Sequence, residues 1–244
     1  VCLNVGDAAR TINDRFRLFS NHARMLDQFI TLGFQALPAI LWRKQTNAPN
    51  KFMGSGMLPP GAYVTLEHEY ILILRKGAKR EFKTEADRQN RRASAYFWEE
   101  RNVWFSDVWL DIKGAAQDLG DRAARRRSAA FPFDVPYRLI NMFSVKGDLI
   151  VDPFFGIGTT MWAAVTSGRN CVGYEIESGL QDEIYAAIKQ LVPYANARID
   201  QRIRAHIDFV EQNQRLKKPF KYTSRHYQFP VKTRQETDIF INPL

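Results

Sequence analysis

The chain has 244 residues, of which 45% are hydrophobic and 25% charged, and its formal net charge is +9. This length and composition exclude a disordered chain and predict a folded protein with a sizeable core, in one large or two small domains. No apolar run approaches the ~20 residues of a transmembrane helix, so no membrane contact is expected, and the excess of Lys and Arg favours a polyanionic partner.

The first third of the chain predicts one helix and two strands. Ser20 is a candidate N-cap for the helix and Gly33 suits its C-terminal stop. The apolar face of this helix contains Met25, Leu26, Phe29 and Ile30. Strands are predicted at 39–42 and, in the sequence YILIL, at 70–74. The chain opens in VCLNVGDA and closes in TDIFINPL, two apolar segments from which we expect the parent protein to be longer.

The last third alternates helices and strands. Pro136 suits the first position of a helix that Gly147 would end. A strand at 149–152 follows, then a helix to about Gly168 and a strand in the sequence NCVGYEIE. One face of a long amphipathic helix is marked by Ile199, Ile203, Ile207 and Val210. This alternation predicts an α/β fold with a mainly parallel sheet.

The turn after Asp152 has the features of a ligand-binding loop. Parallel sheets bind ligands at the carboxyl ends of their strands, where the loop into the next helix lies. Gly156 and Gly158 allow the backbone to approach a ligand closely. Thr159 and Thr160 offer hydroxyls and free N–H groups at the helix start.

Two carboxylates indicate which ligand this loop takes. Glu175, at the end of the next strand, is suited to bind ribose hydroxyls. The dinucleotide fingerprint G-x-G-x-x-G is absent, because Met161 stands where the third glycine belongs. Asp152 disfavours a pyrophosphate and favours a nucleoside that carries an ammonium group. S-adenosylmethionine is such a ligand.

The loop sequence DPFFGIGTT resembles the cofactor motif D-P-F-x-G-x-G-T-T of the amino-group (N4-cytosine or N6-adenine) DNA methyltransferases. The resemblance implies the Rossmann-like fold of S-adenosylmethionine-dependent methyltransferases, a mainly parallel twisted sheet with helices on both faces. It implies that Asp152 and the glycine backbone receive the methionine end of the cofactor, and Glu175 the ribose. The implied cofactor-binding residues are Asp152, Pro153, Phe154, Gly156, Gly158, Thr159, Thr160, Glu175, Phe131 and Pro132.

Upstream segments extend the resemblance to most of the chain. RSAAFPFDVPYRLINMFS has the pattern F-P-x-x-x-P that precedes the cofactor strand in this family, which implies that Phe131 and Pro132 flank the cofactor. SDVW is similar to another segment near the cofactor, and ILWRK and LEHEYILILRKG to two structural strands. For Phe131, Trp109 and Phe155 taken singly, core packing is the alternative interpretation.

The family's catalytic motif is a tetrapeptide of Asp, Asn or Ser, then Pro-Pro and an aromatic residue, which binds the amine of a flipped base. This sequence lacks it. LPPG at 58–61 has neither the polar residue nor the aromatic ring, and NPL at 242–244 has leucine at the second proline. We therefore expect no catalytic residue in this chain, and a catalytic motif on a part of the protein N-terminal to VCLNVGDA.

The resemblance divides the chain into three regions. Residues 1–76 are expected to be part of the catalytic α/β domain, 77–130 a target-recognition region, and 131–244 the cofactor-binding half with C-terminal helices. Basic and aromatic residues interleave in 77–130, as suits contact with DNA phosphates and bases. The DNA-binding candidates are Lys79, Arg80, Arg91 and Arg92. Acidic residues are mixed among them, so a solvated charged surface is the alternative.

Cysteines and histidines give no sign of a metal site. Cys2 and Cys171 have no metal-ligand spacing, which predicts free thiols in a reducing compartment. His22 and His68 have no second histidine or cysteine at ligand spacing and are expected to be structural.

Three functions compete. The first is a site-specific DNA methyltransferase of a restriction-modification system, acting on double-stranded DNA in a bacterial or archaeal cytoplasm beside a cognate restriction endonuclease. The F-P-x-x-x-P segment favours N4 of cytosine, with N6 of adenine as the alternative. The second is a non-catalytic DNA-binding subunit with a residual cofactor loop. The third, a nicotinamide-dependent oxidoreductase, is opposed by Asp152 and by the missing third glycine.

Overall fold

The computed structural model describes residues 1–44, 53–113 and 131–244. Of the predicted target-recognition region, 77–130, the part after residue 113 therefore lies outside the described residues. The described chain forms two compact units. The first contains residues 1–44, 53–80 and 106–113, and the second contains residues 81–105 and 131–244.

The first unit is built on a four-stranded sheet. Its elements are β1 Cys2–Val5, β2 Ala8–Ile12, β3 Arg15–Phe19, α1 Asn21–Thr31, β4 Phe34–Arg43, β5 Met53–Gly54, β6 Ala62–Tyr63, β7 His68–Lys76 and β8 Val108–Trp109. The sheet order is β1-β7-β4-β8, while β2 pairs with β3 and β5 with β6 in two separate hairpins. The predicted strands at 39–42 and 70–74 are confirmed as parts of the longer strands β4 and β7.

This sheet is mixed, which corrects the prediction of a mainly parallel one. β7 runs antiparallel to both β1 and β4, and only β8 lies parallel to β4. In the described residues, the connection from β4 to β7 contains a short hairpin and no helix that could carry the chain back across the sheet. Without such a crossover, neighbouring strands pair antiparallel.

The core of the first unit is formed by side chains of the neighbouring strands β7, β4 and β8. Residues 71–74 of β7 are buried, as are Trp42 and Trp109. The Trp42 indole nitrogen donates to the carbonyl of Ile112 at 2.9 Å, so a buried polar group keeps its partner. Trp109 is therefore a core residue of this unit, as the alternative interpretation of this tryptophan expected.

Helix α1 begins and ends as predicted, with Gly33 at φ +83° after its last turn. The predicted capping by Ser20 is wrong, because its side chain makes no capping hydrogen bond. Instead Asp7 Oδ1 accepts from the backbone N–H of His22 at 3.1 Å. A carboxylate distant in sequence thus satisfies one of the free donors of the first turn.

The apolar face predicted for α1 is buried only in part. The helix packs against β4 and β7. Leu26 and Phe29 are half-buried, whereas Met25 and Ile30 are exposed.

The second unit combines a two-stranded parallel sheet with helices. Its elements are α2 Glu85–Ala93, α3 Trp98–Trp104, α4 Asp134–Phe143, β9 Leu149–Asp152, α5 Thr159–Thr166, β10 Asn170–Gly173, α6 Gln181–Arg215, β11 Tyr222–Thr223 and β12 Pro230–Val231. Single 3-10 turns lie at Ser178–Leu180 and Arg234–Glu236. Helix α4 begins two residues before Pro136, which still lies in its first turn. Gly147 follows the end of this helix and has a left-handed backbone conformation, with φ +79°.

The β9-α5-β10 segment confirms the predicted strand-helix-strand order with parallel pairing. Ile150 and Cys171 point from this sheet into a core of residues from α3, α4 and α5, which contains Trp104, Tyr137, Ile140, Ala163 and Ala164. On the opposite face, Leu149, Val151 and Val172 are 59%, 55% and 41% exposed. Within the described residues, helices therefore cover one face of this sheet, where two covered faces were expected.

Helix α6 is the predicted long amphipathic helix, with 35 residues. Ile199 and Val210 are buried as expected, but Ile207 is 39% exposed. Its neighbour His206 is buried instead, because its ring stacks on Phe97 with 4.0 Å between centroids. Among the helices of the described ranges, none combines the length and the apolar content that a membrane crossing requires.

Candidate functional site

The candidate site lies at the carboxyl ends of β9 and β10. The two strands are in register, so that the last residue of β9, Asp152, lies beside Gly173, the last residue of β10. The loop 153–158 leaves the sheet at this edge and leads into α5. Two backbone hydrogen bonds tie the loop to the adjoining chain, from Tyr174 N to the carbonyl of Asp152 and from Phe155 N to that of Tyr174, each 2.9 Å.

Asp152 organises the loop from within. Its Oδ1 accepts from the backbone N–H of Phe154 at 3.0 Å, and its Oδ2 accepts from the Thr160 hydroxyl at 2.5 Å. Thr160 is buried in the first turn of α5, so the carboxylate is held between the two ends of the loop. Hydrogen bonds to an ionised acceptor are among the stronger ones in proteins, and they fix this side chain in one orientation.

The two loop glycines adopt left-handed backbone conformations that other residues rarely take. Gly156 has φ +54° and Gly158, at the N-cap of α5, has φ +87°. A Cβ placed on Gly156 would meet nothing within 4 Å, so there is open space against its backbone. A ligand can approach the chain there without a side chain in between.

Glu175 closes the loop from the side of β10. Its Oε2 accepts from the Gly156 N–H at 2.7 Å and its Oε1 from the Glu177 N–H at 2.8 Å. These backbone hydrogen bonds, with Glu177 as the stronger donor, lower the pKa of the Glu175 carboxyl and keep it ionised. β10 ends at Gly173, two residues before the predicted strand end, but Glu175 still reaches the loop.

Exposed apolar side chains surround the two carboxylates. Phe154 is 84% exposed, Tyr174 63% and Ile176 fully. Single exposed apolar residues are ordinary on protein surfaces, but three at one sheet edge form an apolar rim around the site. Tyr174 and Ile176 were not predicted as part of the site, although both adjoin Glu175 in the sequence.

The predicted flanking residues Phe131 and Pro132 come directly before α4. The Pro132 carbonyl accepts from the Val135 N–H at 3.0 Å and so supports the helix start. An aromatic chain leads from this point to α5. Phe133 packs on Tyr194 of α6 with 5.2 Å between ring centroids, and Tyr194 meets Trp162 of α5 at 4.6 Å. These aromatic contacts join the start of α4 to the helix that follows the loop.

The predicted DNA-binding residues are divided between the two units. Lys79 and Arg80 belong to the first unit, and Arg91 and Arg92 lie in α2 of the second. The guanidinium of Arg91 lies 4.8 Å from the centre of the Phe82 ring. Two carboxylates hold Arg92, that of Glu85 at 2.5 Å and that of Asp238 at 3.2 Å.

The histidines of the first unit have structural contacts. The His22 ring contacts the Asp7 carboxylate at 2.8 Å and stacks on Tyr70, against which His68 packs edge-on. Partial burial raises the pKa of Asp7, but the hydrogen bonds from His22 outweigh it and the net shift is downward. Within the described ranges, no three metal-ligating side chains cluster together. Both cysteines are free thiols.

Comparison with known proteins identifies the family. A sequence model of N6/N4 methyltransferases, described as DNA methylase, matches residues 1–186. The chain is 54% identical over 239 residues to the type II methyltransferase M.MthZI of Methanothermobacter thermautotrophicus, covering 98% of this chain and 66% of that protein. It is 52% identical over 180 residues to the type II methyltransferase M.MjaI of Methanocaldococcus jannaschii, covering 74% of this chain and 58% of that protein. The chain belongs to this DNA methylase family, which confirms the resemblance found in the sequence.

A solved structure supports the same assignment. The fold is similar to that of a DNA modification methylase from Thermus thermophilus complexed with S-adenosyl-L-methionine, with a TM-score of 0.64 and 30% sequence identity. The similarity covers 79% of this chain and 70% of the Thermus chain. It confirms the predicted Rossmann-like methyltransferase fold. The chain itself spans 66% and 58% of the lengths of the two archaeal relatives.

Proposed function

We propose that this protein is an S-adenosylmethionine-dependent type II DNA methyltransferase that acts on an exocyclic amino group of a base in double-stranded DNA. The observation that carries the proposal is the closed loop from Asp152 to Thr160, with Glu175 hydrogen-bonded to the backbone of Gly156. The same segment carries the family's cofactor motif. The loop is thus folded to receive a ligand at the sheet edge where this class of fold binds one.

The donor set fits S-adenosylmethionine. Asp152 and the open backbone at Gly156 suit the ammonium and carboxylate of a methionine group, and Glu175, ionised, suits two ribose hydroxyls. The exposed rings of Phe154 and Tyr174 and the side chain of Ile176 offer apolar surface for an adenine. We extend the proposal to the predicted residues Pro153, Gly158, Thr159, Phe131 and Pro132 as the remaining cofactor contacts.

When bound, S-adenosylmethionine supplies an electrophilic methyl group on its sulfonium sulfur. The residues of this chain bind and orient it: Asp152 fixes the methionine end and Glu175 the ribose, while the apolar rim excludes water. Because the catalytic tetrapeptide is absent from this sequence, no group described here is assigned to the target amine.

We further propose N4 of cytosine as the acceptor, on the strength of the F-P-x-x-x-P segment, with N6 of adenine as the alternative. The proposed organisation keeps 1–76 in the catalytic domain, 77–130 as the target-recognition region and 131–244 as the cofactor half. Lys79, Arg80, Arg91 and Arg92 remain the proposed DNA contacts. A cognate restriction endonuclease as functional partner and a prokaryotic cytoplasm complete the proposal.

Calorimetric titration with S-adenosylmethionine tests the cofactor site. The wild-type protein at its natural full length should bind with measurable heat, and Asp152→Ala should abolish that heat. Asp200→Ala is the matched control, since Asp200 is an exposed carboxylate on α6 and should leave binding unchanged. Equal binding by Asp152→Ala and wild type would refute the assigned role of the loop.

The acceptor base is tested by its product. The full-length protein is incubated with unmethylated plasmid DNA and S-adenosylmethionine carrying a labelled methyl group, and the DNA is digested to nucleosides. Label in N4-methylcytosine supports the cytosine assignment, and label in N6-methyladenine overturns it in favour of the alternative. Cofactor binding without label in DNA would overturn the proposed activity.

A further inference from the structure

The second unit contains a cleft of about 1160 Å³ that the cofactor site does not use. Its basic lining residues are Arg88, Arg91, Arg92, Arg101, Arg225 and Arg234, which face two carboxylates, Glu236 and Asp238. The cleft is larger than ordinary small-molecule pockets, which have about 300–1,000 Å³. The charge of the lining therefore points to an anion, and the volume leaves room for an extended one.

Four of these arginines lie on α2 and α3, where their spacing places them on the helix face that lines the cleft. Arg88, Arg91 and Arg92 stand at positions i, i+3 and i+4 of α2, and such residues share one helix face. Trp98 and Arg101 repeat the spacing i, i+3 in α3. Helix α2 thus turns three cationic side chains toward the cleft. Helix α3 turns Arg101 and the exposed indole of Trp98 toward it.

The C-terminal segment, beyond the range matched by the family, supplies the remaining arginines. It is docked on α3 by Glu236, whose Oε1 accepts from the Trp98 N–H at 2.8 Å and whose Oε2 accepts from Thr233 N at 2.6 Å. It is joined to the end of α2 by a hydrogen bond from Phe240 N to the carbonyl of Ala93 at 3.2 Å. These contacts hold the far wall of the cleft against the two helices.

Three of the arginines are held within the cleft by carboxylates. Asp238 lies between Arg92 at 3.2 Å and Arg225 at 2.9 Å, and Glu85 pairs with Arg88 at 2.9 Å and with Arg92. Such pairs on the surface contribute little stability, but they fix the direction of the side chains.

The other three arginines retain their charge for a ligand. Arg91, Arg101 and Arg234 are exposed, and within the described ranges no carboxylate lies at ion-pairing distance from them. Arg91 and Arg101 lie over the rings of Phe82 and Phe105, at 4.8 and 5.8 Å from the ring centres. Aromatic support of this kind leaves the N–H groups of a guanidinium free to bind phosphate oxygens.

The cleft and the cofactor loop lie at opposite ends of β9. Met142, Ser144 and Val145, which line the cleft, come just before β9, whereas the cofactor loop follows its last residue, Asp152. The cleft is therefore a separate site. Trp98, 42% exposed at this cleft, adds an aromatic face on which a base can stack.

We propose that this cleft binds the phosphate backbone of DNA away from the position of methyl transfer, with Arg91, Arg101 and Arg234 as the phosphate contacts. The proposal rests on the proposed function for the identity of its nucleic acid. The C-terminal segment thereby extends the DNA-binding surface beyond the predicted target-recognition region. A DNA duplex bound at the cofactor site would thus be bound a second time in the cleft, at the opposite end of β9.

The test compares two triple variants of the full-length protein. Arg91→Ala, Arg101→Ala and Arg234→Ala together remove the three guanidinium groups that have no carboxylate partner among the described residues. Lys189→Ala, Arg204→Ala and Lys221→Ala together remove the same charge from exposed positions outside the cleft. Binding to a fluorescent duplex of about 30 base pairs is measured by anisotropy at several salt concentrations.

The cleft variant should bind duplex at least about tenfold more weakly than the control variant at low salt, with a slope of log K against log salt smaller by about 2 to 3. Replacing the same three arginines by lysine should restore most of the slope, which excludes a folding defect as the cause. Affinity and slope equal to those of the control variant would overturn the proposal. So would unchanged DNA affinity with lost binding to poly-glutamate, which would assign the cleft to an acidic protein.

Failure of the cleft and failure of the proposed function give different results. If the wild type binds S-adenosylmethionine and methylates DNA while the cleft variant matches the control, only the cleft assignment is wrong. If the wild type binds no cofactor but the cleft variant loses DNA affinity, the proposed function is wrong and the cleft stands.

Discussion

The ring of Phe155 occupies the space beside Gly173 that a side chain would need. A Cβ added to Gly173 would come within 1.8 Å of Phe155 Cδ2, far inside contact distance. The ring thereby packs the cofactor loop flat against the end of β10. Residue 173 must be glycine because of this contact, since Gly173 has no left-handed backbone angle that would itself require one.

Gly173→Ala should displace Phe155 and with it the loop. Overpacking of this kind costs about 1–3 kcal/mol of unfolding free energy, and affinity for S-adenosylmethionine should fall because the loop moves. Denaturant unfolding and calorimetric titration measure the two effects. Gly6→Ala is the control, since its added Cβ would meet Glu69 at an ordinary 3.4 Å. Wild-type cofactor affinity in Gly173→Ala would show that the ring does not position the loop.

The hydrogen bond between Thr160 and Asp152 gives a second prediction. Thr160→Val keeps the volume of the buried side chain but removes the hydroxyl that donates to Asp152 Oδ2. Loss of a hydrogen bond to a charged group costs about 1.5–3 kcal/mol, so stability should fall. Cofactor affinity should also fall, because the carboxylate loses its fixed orientation.

Thr166→Val provides the comparison for this prediction. Thr166 is the last residue of α5 and is buried like Thr160, but its hydroxyl has no hydrogen-bond partner within the described residues, so its removal should change neither stability nor cofactor affinity in this way. Thermal unfolding and calorimetric titration of both variants should separate them clearly. Identical behaviour of the two valine variants would show that the Thr160 hydroxyl does not hold Asp152.

The local geometry of the loop after Asp152 could be predicted from sequence because its determinants are local. Within 152–160, one carboxylate, two glycines and a helix start follow one another directly, and the structure gives each the expected local geometry. The role of Gly173 could not be predicted in this way. Its requirement comes from the ring of Phe155, which reaches it only after β9 and β10 have paired.

Other features escaped prediction for the same physical reason. Asp7 caps α1 across an intervening hairpin, so that the nearby Ser20 was the better candidate on sequence alone. The sheet is mixed because β7 pairs antiparallel with β4. An apolar run in the sequence predicts a strand but does not reveal the direction in which that strand pairs. The hydrogen bond from the Trp98 N–H to Glu236 joins residues far apart in the sequence, and no sequence pattern predicts such a contact.

Lys146 predicts a pH dependence of stability. Its ammonium is half-buried, and burial, with the charges of Arg169 and Arg202, lowers its pKa from 10.5 to about 8. Between these two values the unfolded chain binds more protons at this amine than the folded chain, so stability rises with pH. The stability of wild type relative to Lys146→Met should therefore increase from about pH 8 toward pH 10.5.

The difference between the two proteins, and not the wild-type curve alone, is the quantity to measure. Burial raises the pKa of the half-buried Cys171 thiol to about 11, and this thiol makes stability fall with pH above about 9 in both proteins. Urea unfolding at pH 7.5, 8.5 and 9.5 gives the difference at each pH. A difference independent of pH would contradict the lowered pKa of Lys146.

The last prediction concerns a buried ion pair between α3 and α6. Arg202 binds Glu100 through two hydrogen bonds, Nε to Oε1 at 2.6 Å and Nη2 to Oε2 at 2.8 Å, with both side chains about nine-tenths buried. Burial alone lowers the pKa of Arg202, but the charge of Glu100 more than offsets it and the pKa is raised. Glu100→Gln would leave the guanidinium buried without its counter-charge. Removal of one partner of such a pair costs about 3–5 kcal/mol of unfolding free energy.

A double variant separates the charge from the packing. Glu100→Gln with Arg202→Met removes both charges, and the double variant should be more stable than Glu100→Gln alone, because no unpaired charge remains in the core. Glu211→Gln, which breaks the exposed pair with Arg215, should change stability by less than about 0.5 kcal/mol. Denaturant unfolding of the wild type, Glu100→Gln, Arg202→Met, the double variant and Glu211→Gln decides whether the pair acts through its charge or through its packing. A double variant as unstable as the sum of the two single variants would mean that the pair acts through packing, and that the docking of α6 on α3 does not depend on its charge.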